Sequence, residues 1–254
     1  MTPDARSVKI FWKTLNLLDD WLATGFSRKH PELEIDEQAM STAPAAEPAA
    51  AVPAATVPAA ALPATAVPED RAAELALIAS QIAPCVKCTL SANRTVTVPG
   101  EGSLDAPVMF VGEGPGTEED RTGRPFVGAA GQYLDTWLKP IGLERSQCFI
   151  ANCVKCRPPQ NREPHPDEIG ACLPYLERQI AVVRPKVICC LGRIAAQTLL
   201  GTSSSLGALR GKVHNRHGIP VVVTYHPSAV LRDKAGLRKP VWEDLQLLQR
   251  LLGQ

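Results

Sequence analysis

From residue 107 onward, short apolar runs alternate with segments of helical periodicity. The apolar runs occupy residues 107–111, 148–151, 187–191 and 220–224. Such short, nearly continuous apolar runs are typical of strands buried on both faces of a parallel sheet. Helical spacing of apolar side chains occurs at residues 132–138, 167–182 and 194–200. These helices are expected to cover both faces of the sheet, in an α/β domain that extends over residues 69–254.

Residues 1–68 carry a different pattern. Apolar side chains at helical spacing over 8–25 predict an amphipathic helix within an N-terminal segment, residues 1–40. This helix could pack on its own domain or bind a protein partner, and the sequence favours neither. Residues 41–68 consist almost wholly of Ala, Pro, Val and Thr. Regular proline favours an extended, disordered linker there.

Each apolar run ends in residues that can carry chemistry. Glu113 follows the first run and Asn152 the second, whereas Gly192 follows the third. His226 and Ser228 follow the fourth. Taken singly, Asn152 is also typical of a turn, and a lone histidine is more often structural. Because ligands of open parallel sheets bind outside the carboxyl ends of the strands, four such ends predict a binding site at one rim.

A glycine- and proline-rich segment, residues 112–131, follows the first strand directly. Its turn contains Gly114, Pro115 and Gly116. Glycine there lets the backbone and its free N–H groups approach a ligand closely. Phe126 stands between a proline and a glycine rather than in a periodic apolar face, so it is placed to stack on a ligand. The other interpretation is a surface loop with one anchoring aromatic residue.

Composition and charge narrow the class of protein. The chain has 254 residues and 45% apolar content, which is ample for a buried core, and its formal net charge is +1. Residues 184–239 contain ten Lys or Arg but one acid, Asp233, so this part favours a polyanionic partner. Its other interpretation is a solvated basic face. No apolar stretch is long enough to predict a signal peptide or a membrane span, and the cytoplasm is the expected location.

Four of the eight cysteines have the spacing of a metal site. They are Cys85, Cys88, Cys156 and Cys172. A CxxC pair with two distant cysteines suits either structural zinc or an iron–sulfur cluster, and reduced, unligated thiols are the remaining alternative. The other four lie in or beside strands, where a free cysteine behaves as a small buried apolar residue: Cys148, Cys153, Cys189 and Cys190.

Three motifs and the first four cysteines together closely resemble the family 4, iron–sulfur uracil-DNA glycosylases. The motifs are GEGPG and GRPFVGAAG within 112–131, NCVKCRPPQNR from Asn152, and HPS from His226. The resemblance covers roughly residues 70–250. It implies a three-layer α/β/α fold with a four-stranded parallel sheet, and a structural [4Fe–4S] cluster on the first four cysteines. It also implies a monomer that hydrolyses the bond between uracil and deoxyribose in DNA.

Three residues are expected to be catalytic in the reaction that the resemblance implies. Asn152 donates from its amide to uracil O4 and accepts from N3–H, whereas cytosine presents the reverse pattern. His226 donates to uracil O2 as negative charge grows on the departing base. Glu113 is the nearest candidate to orient water or to offset positive charge on the sugar.

Further residues are expected to bind the substrate. Glu119 resembles the family residue beside uracil C5, where thymine has its methyl group. Phe126 is the stacking platform. Better-studied relatives carry an aspartate and a bulky aromatic residue at the positions of Gly114 and Gly116, so other groups must activate water and exclude thymine here. The full set of expected substrate-binding residues is Gly114, Pro115, Gly116, Glu119, Asp120, Phe126, Ser228, Leu231 and Arg232. The segment with the last three lies where related enzymes push a side chain into the base stack.

Two rival functions fit parts of the sequence. One is a nucleotide- or cofactor-binding α/β protein, because glycine-rich turns cradle phosphates. The G-x-G-x-x-G motif is absent, however, and Gly211 and Lys212 lack the rest of a P-loop. The second is a non-enzymatic DNA-binding module held together by metal. It predicts that Asn152 and His226 are dispensable.

Overall fold

The computed structural model describes residues 70–253, so the predicted N-terminal helix and the linker at 41–68 lie outside the described residues. One sheet of six strands, in the order β1-β3-β2-β4-β6-β5, forms the centre of this part of the chain. The strands are β1 (Glu101–Gly102), β2 (Val108–Gly112), β3 (Phe149–Asn152), β4 (Val187–Leu191), β5 (Val213–Arg216) and β6 (Ile219–Thr224).

The four predicted strands are β2, β3, β4 and β6, and they pair in parallel at the centre of the sheet. Two antiparallel edge strands, β1 and β5, extend the predicted four-stranded sheet to six. The sequence pattern missed β1 because it has two residues, and it missed β5 because its side chains alternate between exposed and half-buried. A two-residue turn joins β5 to β6, with both His217 and Gly218 at positive φ, as in a type I′ hairpin.

Helices cover both faces of the sheet. They are α1 (Arg71–Ile82), α2 (Thr117–Thr122), α3 (Ala129–Leu138), α4 (Pro166–Val183), α5 (Arg193–Leu200), α6 (Leu206–Leu209), α7 (Pro227–Arg232) and α8 (Lys234–Leu251). Phe110 packs in a core with side chains of α3 and α8, while its neighbours Met109 and Val111 pack with side chains of α4 and α5. Alternate residues of β2 therefore face opposite helical layers, which confirms the three-layer arrangement. None of α1–α8 is long and apolar enough to cross a membrane.

The register of the central strands aligns their carboxyl ends. Gly112 pairs with Asn152, and Leu191 pairs with Thr224. The residues that follow these strands consequently meet at one rim of the sheet.

Candidate active site

A cavity of about 560 Å³ opens at this rim. Most of the residues that the sequence predicted for the site line it: Glu113, Gly114, Pro115, Gly116, Glu119, Phe126, Asn152, His226, Ser228 and Arg232. The strands β2, β3 and β6 each contribute a polar side chain at or just beyond their ends. The opposite wall, here called the loop side, is formed by the segment between β2 and α3, which includes α2. Its size suits a small ligand or a single base.

Asn152 carries an unpaired acceptor in the cavity wall. Its side chain is buried, and Oδ1 has no hydrogen-bond partner among the described residues. Gly112 lies directly beside it, because a Cβ at that position would come within 2.5 Å of both Asn152 Oδ1 and the Phe126 ring. An acceptor left unpaired in this way costs about 1–3 kcal/mol. The site therefore gains stability when a ligand supplies a donor.

Lys155, which the sequence analysis did not single out, fixes the backbone of Asn152 through hydrogen bonds of its buried side chain. Its Nζ donates to the Asn152 carbonyl at 3.0 Å and to Gln179 Oε1 at 2.7 Å. Gln179 in turn donates to the Pro99 carbonyl at 2.7 Å. Burial lowers the pKa of Lys155 to about 8. The available signal was a lysine between Val154 and Cys156, but Gln179, its second partner, lies 24 residues away in the chain.

His226 is the N-cap of α7, followed by a proline in the first turn. The backbone N–H of Ser228 donates to His226 Nδ1 at 3.2 Å, and Ser228 Oγ lies 2.8 Å from the same nitrogen. Burial, with Arg232 nearby, lowers the pKa of His226 to about 4. The ring is therefore neutral at pH 7. Because Nδ1 accepts, its proton lies on Nε2, which can donate to a ligand.

Glu113 is the half-buried carboxyl group at the end of β2. Burial raises its pKa to about 7, with a further contribution from Glu163, and Arg193 opposes the shift. Arg193 also forms an ion pair with Glu163. Glu113 can therefore exchange a proton near neutral pH, as a general base must.

The loop side of the cavity is held by backbone hydrogen bonds. Glu119 Oε1 accepts from the N–H groups of Val127 and Gly128, both at 2.8 Å, and Oε2 accepts from Gly116 at 3.1 Å. The ring of Phe126 is buried, and its centroid lies 5.6 Å from that of His226. The Glu119 carboxylate thus links the turn after β2 to the turn that carries Phe126 and fixes this wall of the cavity.

Two expected substrate-binding residues do not line the cavity. Both oxygens of Asp120 accept from the backbone N–H of Thr95, at 2.9 and 3.1 Å, so this carboxylate holds a neighbouring segment. Leu231 is partly buried against the core that contains Phe126. The contacts of Asp120 place its carboxylate away from the cavity, against Thr95. Leu231, which is half-buried in α7, stays a predicted substrate-binding residue.

Two arginines of the cation-rich residues 184–239 form ion pairs within the fold. Arg210 forms an ion pair with the buried Asp244 at 2.7 Å, and its guanidinium lies over the Tyr225 ring. Arg216 pairs with Glu177. Arg232, by contrast, is exposed at the cavity. Because carboxylates neutralise Arg210 and Arg216, fewer side chains contribute to the positive field at the site than the ten Lys and Arg counted in residues 184–239.

The four cysteines of the predicted metal site line a second, small pocket, together with side chains of α1 and α4. Arg94 Nη1 donates to Cys156 Sγ at 3.3 Å, and the backbone N–H of Lys155 donates to Cys172 Sγ at 3.2 Å. Within residues 70–253, no three His, Cys, Asp or Glu side chains converge as ligands of a single metal ion. Burial raises the pKa of Cys172 to about 11, so a thiolate there needs a compensating cation.

Comparison with known proteins identifies the family. Residues 99–246 match the family model of the Uracil DNA glycosylase superfamily. The type-4 uracil-DNA glycosylase of Sulfurisphaera tokodaii is 47% identical over 186 residues, which cover 70% of this chain and 84% of that protein. The type-4 enzyme of Pyrobaculum aerophilum is 45% identical over 68% of this chain and 92% of its own length, and that of Thermotoga maritima is 43% identical over 68% and 91%. The chain therefore belongs to the uracil DNA glycosylase superfamily and, within it, to the type-4 family.

Proposed function

We propose that this chain is a uracil-DNA glycosylase, which extrudes uracil from DNA and hydrolyses its N-glycosidic bond to leave an abasic site. The observation that carries this function is the unpaired, buried Oδ1 of Asn152, in one cavity with the neutral His226 and with Glu113. Membership of the superfamily supports the same activity. The enzyme thus acts in base excision repair.

Uracil recognition follows from the chemistry of Asn152. Its Oδ1 accepts the N3–H of uracil and its amide donates to O4. Cytosine has an acceptor at N3 and a donor at the neighbouring position, so it leaves the buried amide unsatisfied. Each mismatch of this kind costs about 1–3 kcal/mol. Phe126 contributes the face on which the extruded base stacks, and Glu119 occupies the space beside C5.

His226 and Glu113 divide the chemical step. As the bond between C1′ and N1 breaks, its electron pair goes to uracil, and His226 Nε2–H donates to O2 to stabilise the growing negative charge. Water adds to C1′ of the sugar, and the Glu113 carboxylate orients this water and accepts its proton. The uracil anion later takes a proton from solvent. Ser228 keeps His226 in the required tautomer through its contacts with Nδ1.

Cys85, Cys88, Cys156 and Cys172 are the proposed ligands of a [4Fe–4S] cluster. A cluster of this type binds one thiolate at each iron, and four thiols along the walls of one pocket suit it. Hydrogen bonds to two of the sulfurs, from Arg94 and from the backbone of Lys155, fit the same group. When bound, the cluster supplies a structural cross-link between the segment after α1, the loop after β3 and α4.

The cofactor is tested separately from the activity. The purified protein should be brown and contain iron, and Cys156→Ala or Cys172→Ala should yield insoluble or colourless protein. Cys190→Ala, in β4 and away from the pocket, is the control and should retain colour and iron. A colourless, active protein that contains zinc would overturn the assignment.

The expected partner is uracil-containing DNA, bound by a monomer in the cytoplasm. None of the eight cysteines, all of which lie within residues 70–253, forms a disulfide, and this is compatible with a reducing compartment. The N-terminal segment, residues 1–40, is a possible site for a protein partner. The rival DNA-binding module is not favoured, since it gives no reason for an unpaired buried amide in a cavity.

The activity is tested with two oligonucleotides that differ by a single uracil. Incubation with the protein followed by alkali should break only the uracil-containing strand, since alkali cleaves at abasic sites. Equal recovery of both intact strands would contradict the proposed function.

A further inference from the structure

The turn that carries Phe126 has an uncommon backbone conformation. Phe126 has a φ of 51°, in the left-handed region that residues other than glycine and asparagine rarely adopt. Its ring nevertheless forms a cavity wall, in contact distance of Gly112 and beside His226. Such a conformation persists only where the surrounding structure over-determines it. The contacts that hold this turn therefore determine where the ring lies.

Arg145 binds the carbonyl side of the turn. Its Nη1 donates to the Phe126 carbonyl at 3.1 Å, and Nη2 donates to the Pro125 carbonyl at 2.5 Å. Asp135 accepts from Nη1 at 2.9 Å and Glu101 accepts from Nη2 at 3.2 Å. The guanidinium plane is thus fixed by two carboxylates while it holds two successive carbonyl groups. Only a planar group with several fixed N–H donors can do this.

The N–H groups after Phe126 and the contact of the turn with α3 are fixed as well. Glu119 accepts from the N–H groups of the two residues after Phe126. A Cβ on Gly131 would come within 1.8 Å of the Phe126 carbonyl oxygen, so α3 packs directly against the turn. With Glu119 and Gly131 in place, removing Arg145 would free only the carbonyl side, and the backbone could relax toward negative φ.

We propose that Arg145 is a positioning residue for base recognition, acting through Phe126. It lies outside the residues that line the cavity, so its effect on uracil must pass through the turn. This inference rests on the proposed glycosylase activity, and it concerns how tightly the extruded base is captured rather than how fast the bond breaks.

The test is a double-mutant cycle in single-turnover cleavage of a uracil oligonucleotide, with Arg145→Met, Phe126→Ala and the double variant. Arg145→Met should raise the half-saturating enzyme concentration about tenfold, as expected from a weakened stacking contact, and change the limiting rate by less than about threefold. In the Phe126→Ala background, Arg145→Met should have no further effect. Arg145→Lys, which keeps the charge but not the planar fork, should be intermediate.

Arg124→Met is the matched control. Arg124 also pairs with Glu101, at 2.8 and 3.0 Å, but through an exposed side chain outside the turn's carbonyl contacts. It should leave the half-saturating concentration unchanged. Additive effects of Arg145→Met and Phe126→Ala, or an equal loss in Arg124→Met, would overturn the proposal. Wild-type cleavage in the same gels tests the glycosylase activity by itself. If Arg145→Met is insoluble, the cycle is run with Arg145→Lys.

Discussion

The two sides of the cavity are built in opposite ways. On the strand side, Glu113, Asn152 and His226 lie at or just beyond strand ends and keep groups available to a ligand, of which the unpaired Oδ1 of Asn152 is the clearest. On the loop side, the polar groups bind the backbone of the protein itself. Glu119 Oε1 and the Arg145 guanidinium bind the turn around Phe126, and Glu119 Oε2 binds the turn after β2 at Gly116. The strand side therefore carries the groups that act on the ligand, and the loop side determines the shape of the cavity.

This difference separates two classes of mutational effect. Loss of a group that acts on developing charge changes the rate of the chemical step far more than it changes DNA affinity. Loss of a group that shapes the pocket changes capture of the base and hence the apparent KM.

The largest effect is expected for His226→Ala. Removal of a donor to a developing oxyanion typically costs about 10²–10³ in rate, so single-turnover cleavage should slow at least about 10²-fold with little change in DNA affinity. His217→Asn, at the exposed hairpin turn, is the control and should cleave normally. Wild-type cleavage by His226→Ala with weaker DNA binding would reassign this residue to phosphate or groove contact.

A smaller, pH-dependent effect is expected for Glu113. Because its pKa is raised to about 7, the carboxylate form increases as the pH rises through neutrality. The limiting single-turnover rate should therefore rise with pH up to about 7 and then level off. Glu113→Gln should be slower, and its rate should not rise with pH in this range. His226, with a pKa of about 4, does not titrate in the same range and so does not contribute to the rise. The same rise of rate with pH in Glu113→Gln would exclude Glu113 as the titrating group.

The strand side could be predicted from the sequence and the loop side only in part. A polar residue at or shortly after the end of an apolar run lies at the rim by topology alone, which is why the positions of Asn152 and His226 at the rim could be predicted. Asp120 was placed wrongly because its partner, Thr95, lies 25 residues away in the chain. Arg145 and Lys155 were missed for the same reason, since their roles depend on tertiary partners that no local pattern records.

Phe126→Ala should produce the loop-side effect. Loss of a base–aromatic stacking contact of about 1–3 kcal/mol should raise the apparent KM for uracil-containing DNA about tenfold or more, along with any loss of rate. Steady-state kinetics on one oligonucleotide series measures this. A purely catalytic defect with unchanged KM would place Phe126 with the strand-side residues and break the division.

The smallest effect is expected from deletion of residues 1–68. Every cavity-lining residue in the part of the chain that the structure describes lies beyond this stretch, so excision from short oligonucleotides should remain within about twofold of the full chain. Cleavage and thermal unfolding of the two proteins are compared side by side. Loss of folding or of most activity in the shortened protein would show that the N-terminal segment docks on the catalytic domain.

The central claim, that the strand side reserves unpaired atoms for uracil, is tested most directly by comparing Asn152→Ala with Asn161→Ala. Both asparagines line the cavity, but Asn161 Oδ1 already accepts from Arg157 at 2.8 Å. Inhibition of cleavage by free uracil and by free cytosine is measured for each variant. Wild type and Asn161→Ala should prefer uracil by about tenfold or more, and Asn152→Ala should lose that preference. A full preference for uracil in Asn152→Ala would contradict the account.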